Sequence, residues 1–92
     1  MKSKHLFKPP ETRATKAGKV CLLPNESIGE HSTEKREETL VILKGTATLF
    51  LEGKPITLKE GQAFFIPEGK KHNVSNNCAK KLEYVYVVNL LE

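Results

Sequence analysis

Three side chains of metal-ligand type, His31, Glu38 and His72, stand out in this sequence of 92 residues. Two imidazoles and one carboxylate are the donor set of non-haem iron sites and of catalytic zinc sites, which leave positions open for water or substrate. The three are far apart along the chain, and only a β fold that closes on itself brings them together. Outside such a fold, a lone histidine is more often a surface or hydrogen-bonded structural residue.

The elements available to position them are short strands. From Lys19 onward, apolar or alternating runs are separated by Gly, Pro and Asn signals, and helical periodicity is absent. The runs predict strands at Lys19–Leu23, Gly29–Ser32, Thr39–Leu43, Ala47–Leu51, Ile56–Leu58, Ala63–Ile66, His72–Val74 and Leu82–Leu90. Lys44-Gly45, Glu52-Gly53 before Pro55, Glu60-Gly61 and Pro67-Glu-Gly69 supply the turns between them. Many short, evenly spaced strands in a chain with room for one core predict an all-β sandwich or barrel in a single small domain. Residues 1–18 are expected to be an N-terminal arm and 19–92 the barrel. The runs LVIL at 40–43 and YVYVV at 84–88 are apolar on both faces, so something must cover the outer face: the N-terminal arm, a second subunit in a homodimer, or an arm exchanged between subunits. Phe50, Phe64, Phe65, Tyr84 and Tyr86 are expected to fill core and interface, with a minority lining a cavity suited to a small organic ligand.

Residues 61–76 read GQAFFIPEGKKHNVSN and match the second cupin motif, G-x5-P-x-G-x2-H-x3-N, at every defined position. Residues 29–45 read GEHSTEKREETLVILKG and resemble the first cupin motif, H-x-H-x3-4-E-x6-G, with His31, Glu38 and Gly45 in register. Thr33 stands where that motif has its second histidine. The chain thus resembles small single-domain cupins from about Val20 to Val88. The resemblance implies a jelly-roll β-barrel in which His31, Glu38 and His72 bind one divalent metal facing the cavity. It assigns no such role to Thr33, whose neutral hydroxyl is a poor ligand beside imidazole. Glu37 satisfies the shorter x3 spacing from position 33, but only Glu38 satisfies x6 to Gly45, and Glu38 is the assigned ligand. Glu34 should point to the opposite face of a strand from Thr33.

The missing fourth ligand leaves two readings. In one, the site keeps its metal with open positions, and Thr33 holds a metal-bound water. In the other, the site is degenerate, and the three side chains form a buried hydrogen-bonded cluster in which the carboxylate favours a protonated histidine. Nitrogen and oxygen donors accept Zn, Fe, Mn or Ni alike. The expected function is a small stand-alone cupin with a divalent metal in its cavity, acting on a small metabolite by metal-assisted chemistry. The alternative is a non-enzymatic module that binds or senses a small ligand.

A net charge of +4 raises nucleic acid as a partner, but the lysines are dispersed and an acidic stretch from Glu26 to Glu38 would repel a polyanion, so none is expected. No apolar run is long enough to span a bilayer, and the basic N-terminus breaks at Lys8 and Pro9 before a signal-peptide core develops; the expected location is cytoplasmic. Cys21 and Cys78 are too few and too unpatterned for a disulfide framework. Cys21 is expected to be a small core residue, a ligand or reactive thiol being the alternative, and Cys78 and His5 are expected at the surface. The acceptor patterns at Asn25 and Asn73 are read as chance matches.

Overall fold

The computed structural model describes residues 1–91, which form nine strands and no helix. These are β1 (Lys2–Phe7), β2 (Thr15–Leu22), β3 (His31–Ser32), β4 (Arg36–Lys44), β5 (Thr46–Leu51), β6 (Lys54–Lys59), β7 (Ala63–Ile66), β8 (Lys71–Ser75) and β9 (Leu82–Leu90). They pair antiparallel into a five-stranded sheet in the order β1-β2-β9-β4-β7 and a four-stranded sheet in the order β3-β8-β5-β6. The two sheets close as the expected jelly roll.

The two runs that are apolar on both faces lie side by side at the centre of the larger sheet, with Leu40 opposite Tyr86 and Ile42 opposite Tyr84. Alternation then divides them. Leu40, Ile42, Tyr84 and Val88 face the interior with Leu22, Leu49, Ile66, Val74 and Leu82, while Val41, Val85 and Val87 face outward and are half-buried. Each fully buried aliphatic chain contributes about 1.5–3 kcal/mol relative to an exposed one.

Asn76, the last residue of the second motif, explains its place there. Its side chain is fully buried and donates to the carbonyls of Leu22, at 3.0 Å, and Lys80, at 2.9 Å, while its Oδ1 accepts from the Cys78 amide at 3.1 Å. It staples the end of β2 to the loop between β8 and β9.

The structure corrects the reading of the N-terminus. Lys2–Phe7 is a strand, not an arm: it extends the larger sheet by pairing with β2, and β2 itself starts at Thr15, inside the expected arm. All six residues of β1 are exposed, and the segment lengthens the sheet edge. Phe65 and Leu43 stand exposed on or beside the outer face of that sheet. Cys21 is also corrected. It lies opposite Lys2 and Glu83 on the outer side of β2, half-buried and outside both the core and the cavity. Cys78 is exposed, as expected.

Candidate metal centre

The smaller sheet contributes both histidines and the larger sheet the carboxylate. The β3–β8 register sets His31 directly opposite His72, and their rings meet edge to face with centroids 4.2 Å apart. β3 is held there by its continuation: the Gly69 amide, in the turn of the second motif, donates to the Thr33 carbonyl at 2.8 Å. Glu38 projects from the inner face of β4, between Val88 on β9 and Ile66 on β7. One donor atom from each of His31, Glu38 and His72 lies within 4.8 Å of the others. His72 and Glu38 are buried, while His31 is exposed and closes the cluster on the solvent side.

Hydrogen bonding directs the ring nitrogens. Nδ1 of His31 lies 3.1 Å from the Gly29 carbonyl and Nδ1 of His72 lies 3.3 Å from that of Lys70. A carbonyl only accepts, so each Nδ1 carries its proton and each Nε2 presents a lone pair in the neutral ring. A backbone carbonyl behind the ring is the usual means of fixing the tautomer of a metal-ligating histidine. His72 Nε2 is buried without a hydrogen-bond partner, and Glu38 Oε1 stands 3.6 Å from it. That is too long for a formed hydrogen bond and close enough for a strong charge interaction. A lone pair and a carboxylate oxygen facing each other 3.6 Å apart suit a cation, either a proton on His72 or a divalent ion among all three donors. The donor set therefore fits a metal.

Electrostatics in the metal-free protein agree. Burial opposes charge on His72, but the Glu38 carboxylate outweighs it, assisted by the Lys70 carbonyl, and the imidazole holds its proton more tightly than a free one. Burial first, and then the negative charge of Glu38, push the phenols of Tyr84 and Tyr86 upward, so both stay protonated at neutral pH.

Thr33 is buried, two residues from His31, and its hydroxyl also has no partner. Glu34 is exposed, and Glu37 lies opposite Asn89 on the other side of β4 from Glu38. Neither belongs to the cluster.

An open cavity of about 280 Å³ adjoins the cluster, lined by His31 and Glu38 together with Val20, Ile28, Tyr84 and Tyr86. Gly18 makes room for one wall: a Cβ there would lie 2.5 Å from the Tyr86 hydroxyl oxygen and 2.6 Å from the ring carbon that bears it. Lys16 and Arg36 also line this cavity. The sequence reading missed both, although Arg36, two residues before Glu38, must share its face of β4.

Residues 18–88 match the family model of the cupin domain. The oxalate-binding protein of Thermotoga maritima is 32% identical over 73 residues, which cover 79% of this chain and 60% of that protein. The tetracenomycin polyketide synthase protein TcmJ of Streptomyces glaucescens is 26% identical over 88 residues, covering 94% of this chain and 59% of that one. The chain thus spans about three-fifths of the length of these two relatives. A crystal structure of a predicted oxalate decarboxylase from Thermotoga maritima superimposes with a TM-score of 0.89 at 28% identity, covering 97% of this chain and 79% of that one.

Proposed function

Because the chain belongs to the cupin family, we propose that His31, Glu38 and His72 hold one divalent metal ion and that the adjoining cavity binds a small-molecule ligand at that ion. The observation that carries this reading is the buried, unpartnered His72 Nε2 facing the Glu38 carboxylate. Zn, Fe, Mn and Ni all suit the donors. Bound there, a divalent ion supplies Lewis acidity toward an oxygen of the ligand. The protein's own part is orientation: two backbone carbonyls aim the imidazoles, Glu38 supplies the negative charge, and apolar and tyrosine walls restrict water. A relative named for oxalate binding supports a small ligand in such a pocket. The non-enzymatic alternative is favoured by Thr33, which leaves three protein donors instead of four. The protein is taken to act in the cytoplasm with both thiols reduced.

Metal binding should stabilise the protein in a pH-dependent way. In the metal-free state the raised proton affinity of His72 contributes stability that is fully present below the ordinary imidazole value of 6.5 and is lost as pH rises through the higher folded value. A metal needs the neutral ring and so competes with that proton. The shift in melting temperature caused by added Zn²⁺ or Mn²⁺ should therefore be small at pH 5.5 and grow steadily toward pH 8. At a hundredfold excess over Kd the gain is about 2.7 kcal/mol. A metal-induced shift that EDTA does not reverse, or that is the same at both pH values, would count against the centre.

A second copy is the proposed occupant of the apolar outer face around Val41, Val85 and Phe65. Val41, Val85, Val87 and the exposed Phe65 form an apolar surface on adjacent strands. Sedimentation should give twice the chain mass of 10.3 kDa, and Phe65→Lys should give the monomer. A monomeric wild-type protein at micromolar concentration would remove this proposal.

A further inference from the structure

Lys16 and Arg36 face the same cavity as the metal cluster, and strand register fixes where they stand. Arg36 precedes Glu38 by two residues on β4, so their Cα atoms are about 6.6 Å apart on one face. Lys16 lies opposite Val88, and Val88 opposite Glu38. Lys16, Val88 and Glu38 therefore form one row across three strands, which puts Lys16 Cα about 9.6 Å from that of Glu38 at the usual strand spacing. Both cations line the cavity, and among the described residues neither makes an ion pair; the lysine ion pairs are those of Lys19 and Lys81 with Glu83.

The charges of the wall do not balance. Met1 also lines the cavity, but its ammonium is paired with Glu26 at 2.8 Å; Lys16 and Arg36 against Glu38 then leave one net positive charge, and a divalent ion at the cluster would raise it to three. Low-dielectric walls concentrate such a field on whatever enters the cleft. Apart from Ser3, the uncharged part of the wall is apolar or aromatic, with Val20, Ile28, Tyr84 and Val88. The cavity is open, with a volume of about 280 Å³. This is more than a two-carbon dianion fills.

We propose that the cavity is a site for an organic dianion, with one end at the metal cluster and the other on Lys16 and Arg36, which act as its specificity-determining residues. The near end of this assignment rests on the metal reading above; the far end rests on the two cations. The guanidinium fork matches a carboxylate in two parallel hydrogen bonds, and the ammonium adds a point charge beside it. An apolar spacer of three or four methylenes suits the middle of the wall.

Calorimetric titration of the Mn²⁺-loaded protein with glutarate, with glutaric diamide and with oxalate tests the assignment. Glutarate should bind at least tenfold more tightly than either of the others. Lys16→Met and Arg36→Gln should each weaken glutarate about tenfold or more while the manganese content of the same samples stays at the wild-type level. Glutarate affinity unchanged in both variants, equal binding of the diamide, or no glutarate binding to the loaded wild-type protein would overturn it. Repeating the titration after EDTA treatment separates the two readings: glutarate binding that persists without metal and still needs Lys16 and Arg36 upholds the anion site and removes the metal from it.

Discussion

His72→Ala abolishes metal retention: protein dialysed against a buffer free of added metal should fall from about one divalent ion per chain to background by elemental analysis, with affinity reduced more than a hundredfold. Loss of an outer partner of a ligand already costs ten- to a hundredfold, and this substitution removes a ligand outright. His72 is the donor whose surroundings are most completely arranged. It is 1% exposed, its Nδ1 is engaged by Lys70 and its Nε2 is left bare beside Glu38. The variant also leaves Glu38 buried beside a void, so the metal-free protein should lose stability. His31→Ala separates the two effects better, because His31 is exposed and leaves no buried void, although its edge-to-face contact with His72 is lost. It should lose the ion while the metal-free protein loses only about 0.5–1.5 kcal/mol, the size of the aromatic contact, and less than His72→Ala loses. If the three side chains were only a hydrogen-bonded cluster, wild-type protein would carry no stoichiometric ion, and the two variants would differ in stability alone.

The sequence foretold the clustering of His31, Glu38 and His72 better than the bounds of the strands that carry them. His72 was legible because a turn with glycine at a positive φ, Gly69 at +80°, precedes it at a fixed spacing. That turn receives the neighbouring strand through the Gly69 amide. Glu38 was distinguished from Glu37 by its distance to Gly45, and strand parity is the physical reason: adjacent residues face opposite sides, so only one of them can reach the histidines. β1 was invisible because an edge strand with every side chain exposed needs no alternation, and KSKHLF shows none. The face of Cys21 was misread for a related reason. Val20, Cys21 and Leu22 are all apolar, so nothing in the run marks which parity is inward. The register shows that Lys16, Gly18, Val20 and Leu22 share the inner face. The cationic end of the cavity was missed with it, since Lys16 becomes a cavity residue only once that parity is known.

Gly45→Ala is expected to cost about 2–5 kcal/mol, which for so small a domain approaches the whole margin of stability. Two separate penalties meet at this residue, the last defined position of the first motif. Its φ of +85° lies in the left-handed region, where a Cβ costs about 1–2 kcal/mol. The turn from β4 to β5 also presses it against the start of β9: a Cβ would stand 2.5 Å from the carbonyl oxygen of Lys81 and 3.2 Å from the Cα of Leu82. Those neighbours are backbone and cannot rotate away. The β4–β9 register already shifts next to this point, between Ile42 and Lys44, so relief would have to come from parting the two central strands. Overpacking of this kind costs about 1–3 kcal/mol more. Gly53 is the control, because it has nearly the same φ, +81°, and nothing within 4 Å of the added carbon. Gly53→Ala should therefore show only the conformational penalty. In urea titrations both variants should keep the wild-type m value, with the midpoint of Gly45→Ala well below that of Gly53→Ala. Equal midpoints would mean that the glycine of the first motif is required for its backbone angle alone, and that the packing of the β4–β5 turn on β9 has no part in holding the strand that carries Glu38.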